Sequence, residues 1–97
     1  MIKMLGLIQS MDPDALKSYL SQVGATVTSF GGEVVARGQT GEPFWNELNC
    51  EPFDSFVEVC FESMDQARAW AQSPAYQTLL IIRKKAMRVT FFELQKS

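Results

Sequence analysis

Arg37, Glu58 and Trp45 are the residues whose chemistry stands out from the apolar segments that carry them. Arg37 closes the run Val34-Val35-Ala36-Arg37, and an arginine fork at the rim of an apolar cavity grips a carboxylate or another small anion. A salt bridge to Glu33, Glu58 or an acid of a partner chain would engage the same side chain with no ligand at all. Glu58 interrupts Phe56-Val57-Glu58-Val59-Cys60-Phe61, where a carboxyl group is a candidate general acid or base. Pairing at a dimer seam is its plainer role. Trp45, next to Phe44 in a long connection, is placed to cover a cavity mouth or to anchor a second chain.

The missing residue types narrow the chemistry further. There is no histidine, so the commonest general base and the commonest metal ligand are both absent. Serine and cysteine nucleophiles therefore lack a triad base. No carboxylate or thiol cluster has metal-ligand spacing, and no glycine-rich phosphate cradle follows a strand. No metal and no cofactor are expected, and no catalytic residue can be named. Cys50 and Cys60 show no CxxC pattern and read as reduced thiols, Cys60 as a small buried hydrophobe and Cys50 as the exposed one. Trp70 and Tyr76 lie on helical stripes and read first as core.

Ninety-seven residues at 46% hydrophobic content specify one domain, residues 1–97. A net charge of −2 lacks the basic footprint of a nucleic-acid binder. The apolar run Met4–Ile8 is too short to span a membrane, and the expected location is cytoplasmic.

These residues need elements to position them. Lys3 to Ser10 reads as a strand. Asp12-Pro13 opens a helix whose stripe is Leu16, Tyr19, Leu20, Val23, Val27 and Phe30, with a bend expected at Gly24 and a stop at Gly31-Gly32. Glu33 to Gly38 is a short strand, Gln39 to Phe53 a long connection, and Asp54 to Phe61 a third strand. Ser63-Met64-Asp65-Gln66 fits a capping box. Ser73-Pro74 breaks the second helix, Tyr76 to Lys85 resumes it, and Arg88 to Leu94 is the last strand. The order is β-α-β-β-α-β: an α+β, ferredoxin-like fold, with two helices on one face of a four-stranded antiparallel sheet.

An antiparallel sheet that is wet on one side should alternate apolar and polar residues. Met4–Ile8, Val34–Ala36, Phe56–Phe61 and Met87–Leu94 do not. The face without helices then needs a cover, and a second copy of the chain supplies one, closing a dimeric α/β barrel. Burying about 800 Å² per subunit would contribute roughly 20 kcal/mol gross, before association costs. Glu33, Arg37, Glu58 and Arg88 or Glu93 would stand at the mouth of that barrel or inside it, with Glu33 and Arg37 on one face by strand alternation. RNA-recognition domains share the topology, but the third strand here lacks their basic residue and glycines, and Glu58 would repel phosphate.

Trp70-Ala71-Gln72-Ser73-Pro74-Ala75-Tyr76-Gln77, followed by Leu80 and Arg83, resembles the helix signature of the domain of unknown function 1330 family. Tyr19 through Gly24 to Phe30-Gly31-Gly32, followed by Val34–Gly38, is similar to it as well. The family has a proline near the place of Gly24, and often a glutamate where Cys60 stands here, with Glu58 the nearest acid. Arg37 matches its basic residue at the end of the second strand. The resemblance implies a dimeric α/β barrel, in a superfamily that includes cofactor-independent monooxygenases, isomerases and ligand-sensing domains. Two functions follow: a homodimeric module that binds a small organic anion or serves assembly, or a cofactor-independent enzyme acting on a small organic acid beside Arg37 and Glu58.

Overall fold

The computed structural model describes residues 1–96. In chain order its elements are β1 (Ile2–Ser10), α1 (Pro13–Ser29), β2 (Glu33–Gln39), β3 (Ser55–Phe61), α2 (Met64–Gln72), α3 (Pro74–Gln77), α4 (Leu80–Ala86) and β4 (Met87–Leu94). The sheet runs β2-β3-β1-β4 with every neighbouring pair antiparallel. Helices pack on one face only, giving a slab 38 × 37 × 18 Å, two layers thick. This is the ferredoxin-like arrangement.

Local chemistry sets the helix ends. Asp12 accepts the Ala15 amide at 3.0 Å, and Pro13 fills the first turn, where its missing N–H costs nothing. At the other end Gly31, at φ 74°, donates to Thr28 O while Gly32 donates to Val27 O, both at 3.0 Å. That double closure needs a left-handed residue, which glycine supplies without a Cβ clash. α1 runs through Gly24 without interruption, contrary to the expected bend. A Cβ there would meet nothing within 4 Å, so this glycine sits on a bare surface and weakens the helix without breaking it.

Half of the expected capping box forms: Ser63 Oγ accepts the Gln66 amide at 3.3 Å, while the Gln66 side chain lies against Gly31. The break at Ser73 is held by one hydroxyl. Its Oγ donates to Trp70 O at 2.7 Å and accepts the Tyr76 amide at 3.2 Å, closing one helix and opening the next.

Register divides the strand residues between two faces. Met4, Gly6, Ile8, Val57, Val59, Phe61, Met87, Val89 and Phe91 look toward the helices. Phe61 and Val27 are fully buried, and Trp70 packs 5.5 Å from the Phe61 ring. Lys3, Leu5, Leu7, Gln9, Phe56, Glu58, Cys60, Thr90, Phe92 and Leu94 form the open face. Cys60 is therefore only half-buried, beside Lys3 and Glu33, rather than in the core.

β2 does not alternate evenly. Val34 pairs with Val59 and Ala36 with Glu58, so Val35 is an extra residue. Such a bulge shifts every later side chain to the opposite face. Glu33 pairs with Cys60 on the open face, whereas Arg37 pairs with Val57 on the helix face. The expectation that Glu33 and Arg37 share a face is corrected by this one inserted residue.

Candidate functional site

A cavity of about 280 Å³ opens between the sheet and the helices, at the end where β1 finishes and β4 begins. Ile8, Val57, Val59, Met87, Val89 and Phe91 form its floor, α1 lends Leu16, Tyr19, Leu20 and Val23, and the α2–α4 segment adds Trp70, Tyr76 and Arg83. At the opposite end the same layer is shut by Phe61, Val27 and the close approach of Gly32, whose Cβ would lie 2.6 Å from the Phe61 ring. The sheet and helices splay apart at one end, and that is where the space is.

Almost all of the lining is apolar, and its polar groups are few. Tyr19 and Tyr76, both buried, bring their hydroxyls to 2.9 Å, with rings edge to face. Arg83 Nη1 donates to the Tyr76 hydroxyl at 2.9 Å, and its guanidinium lies 5.8 Å from the Tyr76 ring centre. Burial, and then the hydrogen bond shared with Tyr76, push the Tyr19 hydroxyl far above the usual phenol value, with Arg83 and Arg37 opposing the shift. Tyr19 is a neutral donor at any physiological pH. The Trp70 indole N–H is used internally, donating to Thr26 Oγ1 at 3.0 Å.

Arg37 stands exposed at the rim. The ion pairs among the described residues are Lys3–Glu58, Arg68–Asp65, Lys85–Asp12 and Arg88–Glu51, so neither Arg37 nor Arg83 has a carboxylate partner there. No Asp or Glu lines the cavity. The salt bridges to Glu33 and Glu58 that were open to Arg37 in the sequence do not form within the chain, because the bulge carries it away from both.

The other two expected site residues lie elsewhere. Glu58 is on the open face, 3.7 Å from the Lys3 ammonium. Trp45 is in the Thr40–Asp54 connection, 80% exposed and edge-on to the 93%-exposed Phe44. That connection leans toward the open face. Gln9 Nε2 donates to Pro52 O at 2.9 Å, Arg88 reaches Glu51 at 2.6 Å, and a shallow hollow joins Trp45 to Leu7. Its neck is pinned by Asp54, which accepts the Ser10 amide at 2.8 Å and the Ser10 and Ser55 hydroxyls at 2.7 and 2.6 Å. Those bonds hold the Asp54 carboxyl below the usual carboxylate range.

Arg37, Glu58 and Trp45 thus occupy three places rather than one. Tyr19, Tyr76 and Arg83 are the polar cavity residues that a reading of residue types passed over. The two tyrosines sit on apolar stripes that signal packing, and Arg83 falls in a basic last turn that signals a helix dipole. The available signal was the interval of seven between Tyr76 and Arg83, two helical turns, which puts both on one side.

No helix is long and apolar enough to cross a membrane among the described residues. No curated protein matches this chain. The fold matches a protein of Arabidopsis thaliana, At3g17210, at 14% identity and a TM-score of 0.76, covering 100% of this chain and 96% of that one. It matches SnoaB, a cofactor-independent oxygenase from Streptomyces nogalater, at 10% identity and a TM-score of 0.68, covering 99% and 92%. A dimeric protein of unknown function and ferredoxin-like fold from Bacteroides fragilis is similar at 10% identity and a TM-score of 0.59, covering 98% and 95%. The family described as Domain of unknown function (DUF1330) matches residues 4–95, and the chain belongs to that family.

Proposed function

We propose that this protein is a homodimer that binds a small organic anion with an apolar body, one per chain, in the cavity between the helices and the sheet. The observation that carries this reading is the pair Arg37 and Arg83. Two guanidinium groups line an apolar cavity that contains no acid, and neither is ion-paired among the described residues. A cation held against apolar walls without a counter-charge favours an anionic guest, and the walls favour a guest with apolar surface.

The dimer reading rests on the open face. Leu5, Leu7, Phe56, Phe92 and Leu94 lie together there, and Phe92 and Leu94 are 40% and 39% exposed. Phe44, Trp45 and Leu48 extend the apolar surface at its edge. A fold neighbour described as dimeric supports self-association of this kind. Both cysteines are free thiols, in keeping with a cytoplasmic setting.

Titration of aromatic and aliphatic carboxylates, followed by calorimetry and thermal shift, tests the ligand reading. Saturable binding at one ligand per chain is expected, weakened about tenfold or more in Arg37→Gln and in Arg83→Gln, the loss typical of one charge-assisted contact. Absence of binding to every acid, or binding indifferent to both substitutions, contradicts it.

A second reading, a cofactor-independent enzyme of oxygenase or isomerase type, is favoured by the Arg83–Tyr76–Tyr19 chain on the cavity wall. Donors fixed in a water-poor site are suited to stabilising charge that develops on a bound oxygen. Oxygen uptake or isomer formation with the acids that bind would support it, and binding without turnover would leave the protein a binding module.

A further inference from the structure

We infer, building on the cavity reading above, that the ligand is a weakly acidic hydroxyl compound, a phenol or an enol, bound as its anion, and that the Arg83–Tyr76–Tyr19 chain hands a proton donor to its oxygen. Arginine has only donors, so the Tyr76 oxygen is the acceptor of the 2.9 Å bond from Arg83 Nη1. At 2.9 Å either tyrosine hydroxyl can donate to the other, and with Tyr76 already accepting from Arg83 the proposed arrangement has the Tyr76 proton given to the Tyr19 oxygen. In that arrangement the Tyr19 proton meets no other protein acceptor among the described residues, and the side chain borders the cavity. The guanidinium charge polarises the hydroxyl of Tyr76, and through it that of Tyr19, so each is a better donor than in the same buried pair without the arginine.

Direction and geometry choose the class of guest. Tyr19 is held neutral by burial, so it gives a hydrogen bond and does not take the ligand's proton. It offers one hydrogen at one point, which suits the single oxygen of a phenolate or enolate. The two oxygens of a carboxylate would be met more fully by the bidentate fork of Arg37, which is at the rim. The walls beside the hydroxyl chain are flat rings. Trp70 lies 4.4 Å from Tyr76 and 6.2 Å from Phe91, centre to centre, and planar faces pack best on a planar guest. No histidine, Asp or Glu lines the cavity to store the proton that the guest loses. That proton goes to water, and binding tightens as pH rises toward the guest's own pKa.

4-Nitrophenol tests this, because its anion absorbs visible light and its neutral form does not, with 4-nitrobenzoate as the control for simple anion binding. Bound to the wild-type chain, at a pH where the free probe is mostly protonated, nitrophenol should be ionised about tenfold more than in solution, an apparent pKa lower by about one unit. Tyr19→Phe and Arg83→Gln should each abolish most of that spectral shift, while Arg37→Gln, at the rim, should weaken binding and remove only the smaller part of the shift. If Tyr19→Phe does not fold, the wild-type spectrum and Arg83→Gln carry the decision. Nitrophenol bound without a shift, a shift that survives both substitutions, or binding of nitrobenzoate alone overturns the phenol assignment and leaves the cavity reading standing. Failure of both probes to bind overturns the cavity reading and the assignment with it.

Discussion

The two faces of one sheet use similar residues to opposite ends. On the helix side Met4, Ile8, Val59, Phe61 and Met87 are buried by helices of the same chain, and the layers part only where Tyr19, Tyr76 and Arg83 gather. On the open side Leu5, Leu7, Phe56, Phe92 and Leu94 are just as apolar, but Lys3, Glu58 and Arg88 stand among them, and among the described residues no helix covers them. One face builds an interior with a pocket, the other an exposed apolar surface that we propose a second copy covers. The difference shows that apolar patterning reports which surfaces must be covered, not which covered space stays hollow.

The sharpest way to break this contrast is to charge the open face. Leu5→Lys places an ammonium across from Glu58, a partner the isolated chain tolerates, but buries it in any face-to-face dimer. Each copy carries the change, so we expect a cost of about 4–5 kcal/mol and a dissociation constant raised by roughly a thousandfold or more. Sedimentation across a concentration series would read it, with far-ultraviolet circular dichroism confirming an intact fold. An unaltered dimer after this change would mean that the open face is not the interface.

On the helix side the closed end should be the least forgiving. Gly32→Ala puts a Cβ 2.6 Å from the Phe61 ring and 2.8 Å from Val27, both fully buried and unable to give way. A loss of about 2–3 kcal/mol in denaturant unfolding is expected. A neutral outcome would mean that this end is not close-packed.

Asp54 ties the connection that leans on the open face to both β1 and β3. Asp54→Asn should cost about 1 kcal/mol at neutral pH, modest because the group is well exposed. Its folded pKa lies below the ordinary value, so its stabilisation is fully present above the unfolded pKa and disappears as pH falls through the folded one. The stability gap between wild type and Asp54→Asn should hold above about pH 5 and close in more acid solution. A gap that does not change with pH would contradict the assignment of these bonds to the ionised carboxylate.

The smallest effect has the opposite sign. Gly24→Ala lies on the bare outer side of α1, where a Cβ meets nothing within 4 Å. It should raise stability by about 0.5–1 kcal/mol and leave both faces unchanged.

Much of the frame was legible in the residues. The order of elements along the chain, the Asp12-Pro13 start, the Gly31-Gly32 stop and the Ser73 break all depend on local chemistry within a few positions of chain. What escaped depends on pairing. The extra residue at Val35 is defined only against β3, and it alone moves Arg37 from the open face to the cavity. The same holds for Glu58, whose partner Lys3 comes from a neighbouring strand, and for Tyr19 and Tyr76, which meet across 57 positions of sequence. The apolar surplus on the open face pointed to a second copy and to a ligand space between copies, whereas the cavity within one chain went unread. Splayed layers within one chain leave no mark on hydrophobic periodicity.

A crystal structure of the protein soaked with 4-nitrobenzoate and, separately, 4-nitrophenol decides where the guest sits. The account requires one molecule in each chain, enclosed by helix and sheet, with its polar end toward Arg37 or Tyr19. Ligand found instead between two open sheet faces beside Glu58, or a cavity left without ligand while solution binding is saturated, would contradict it.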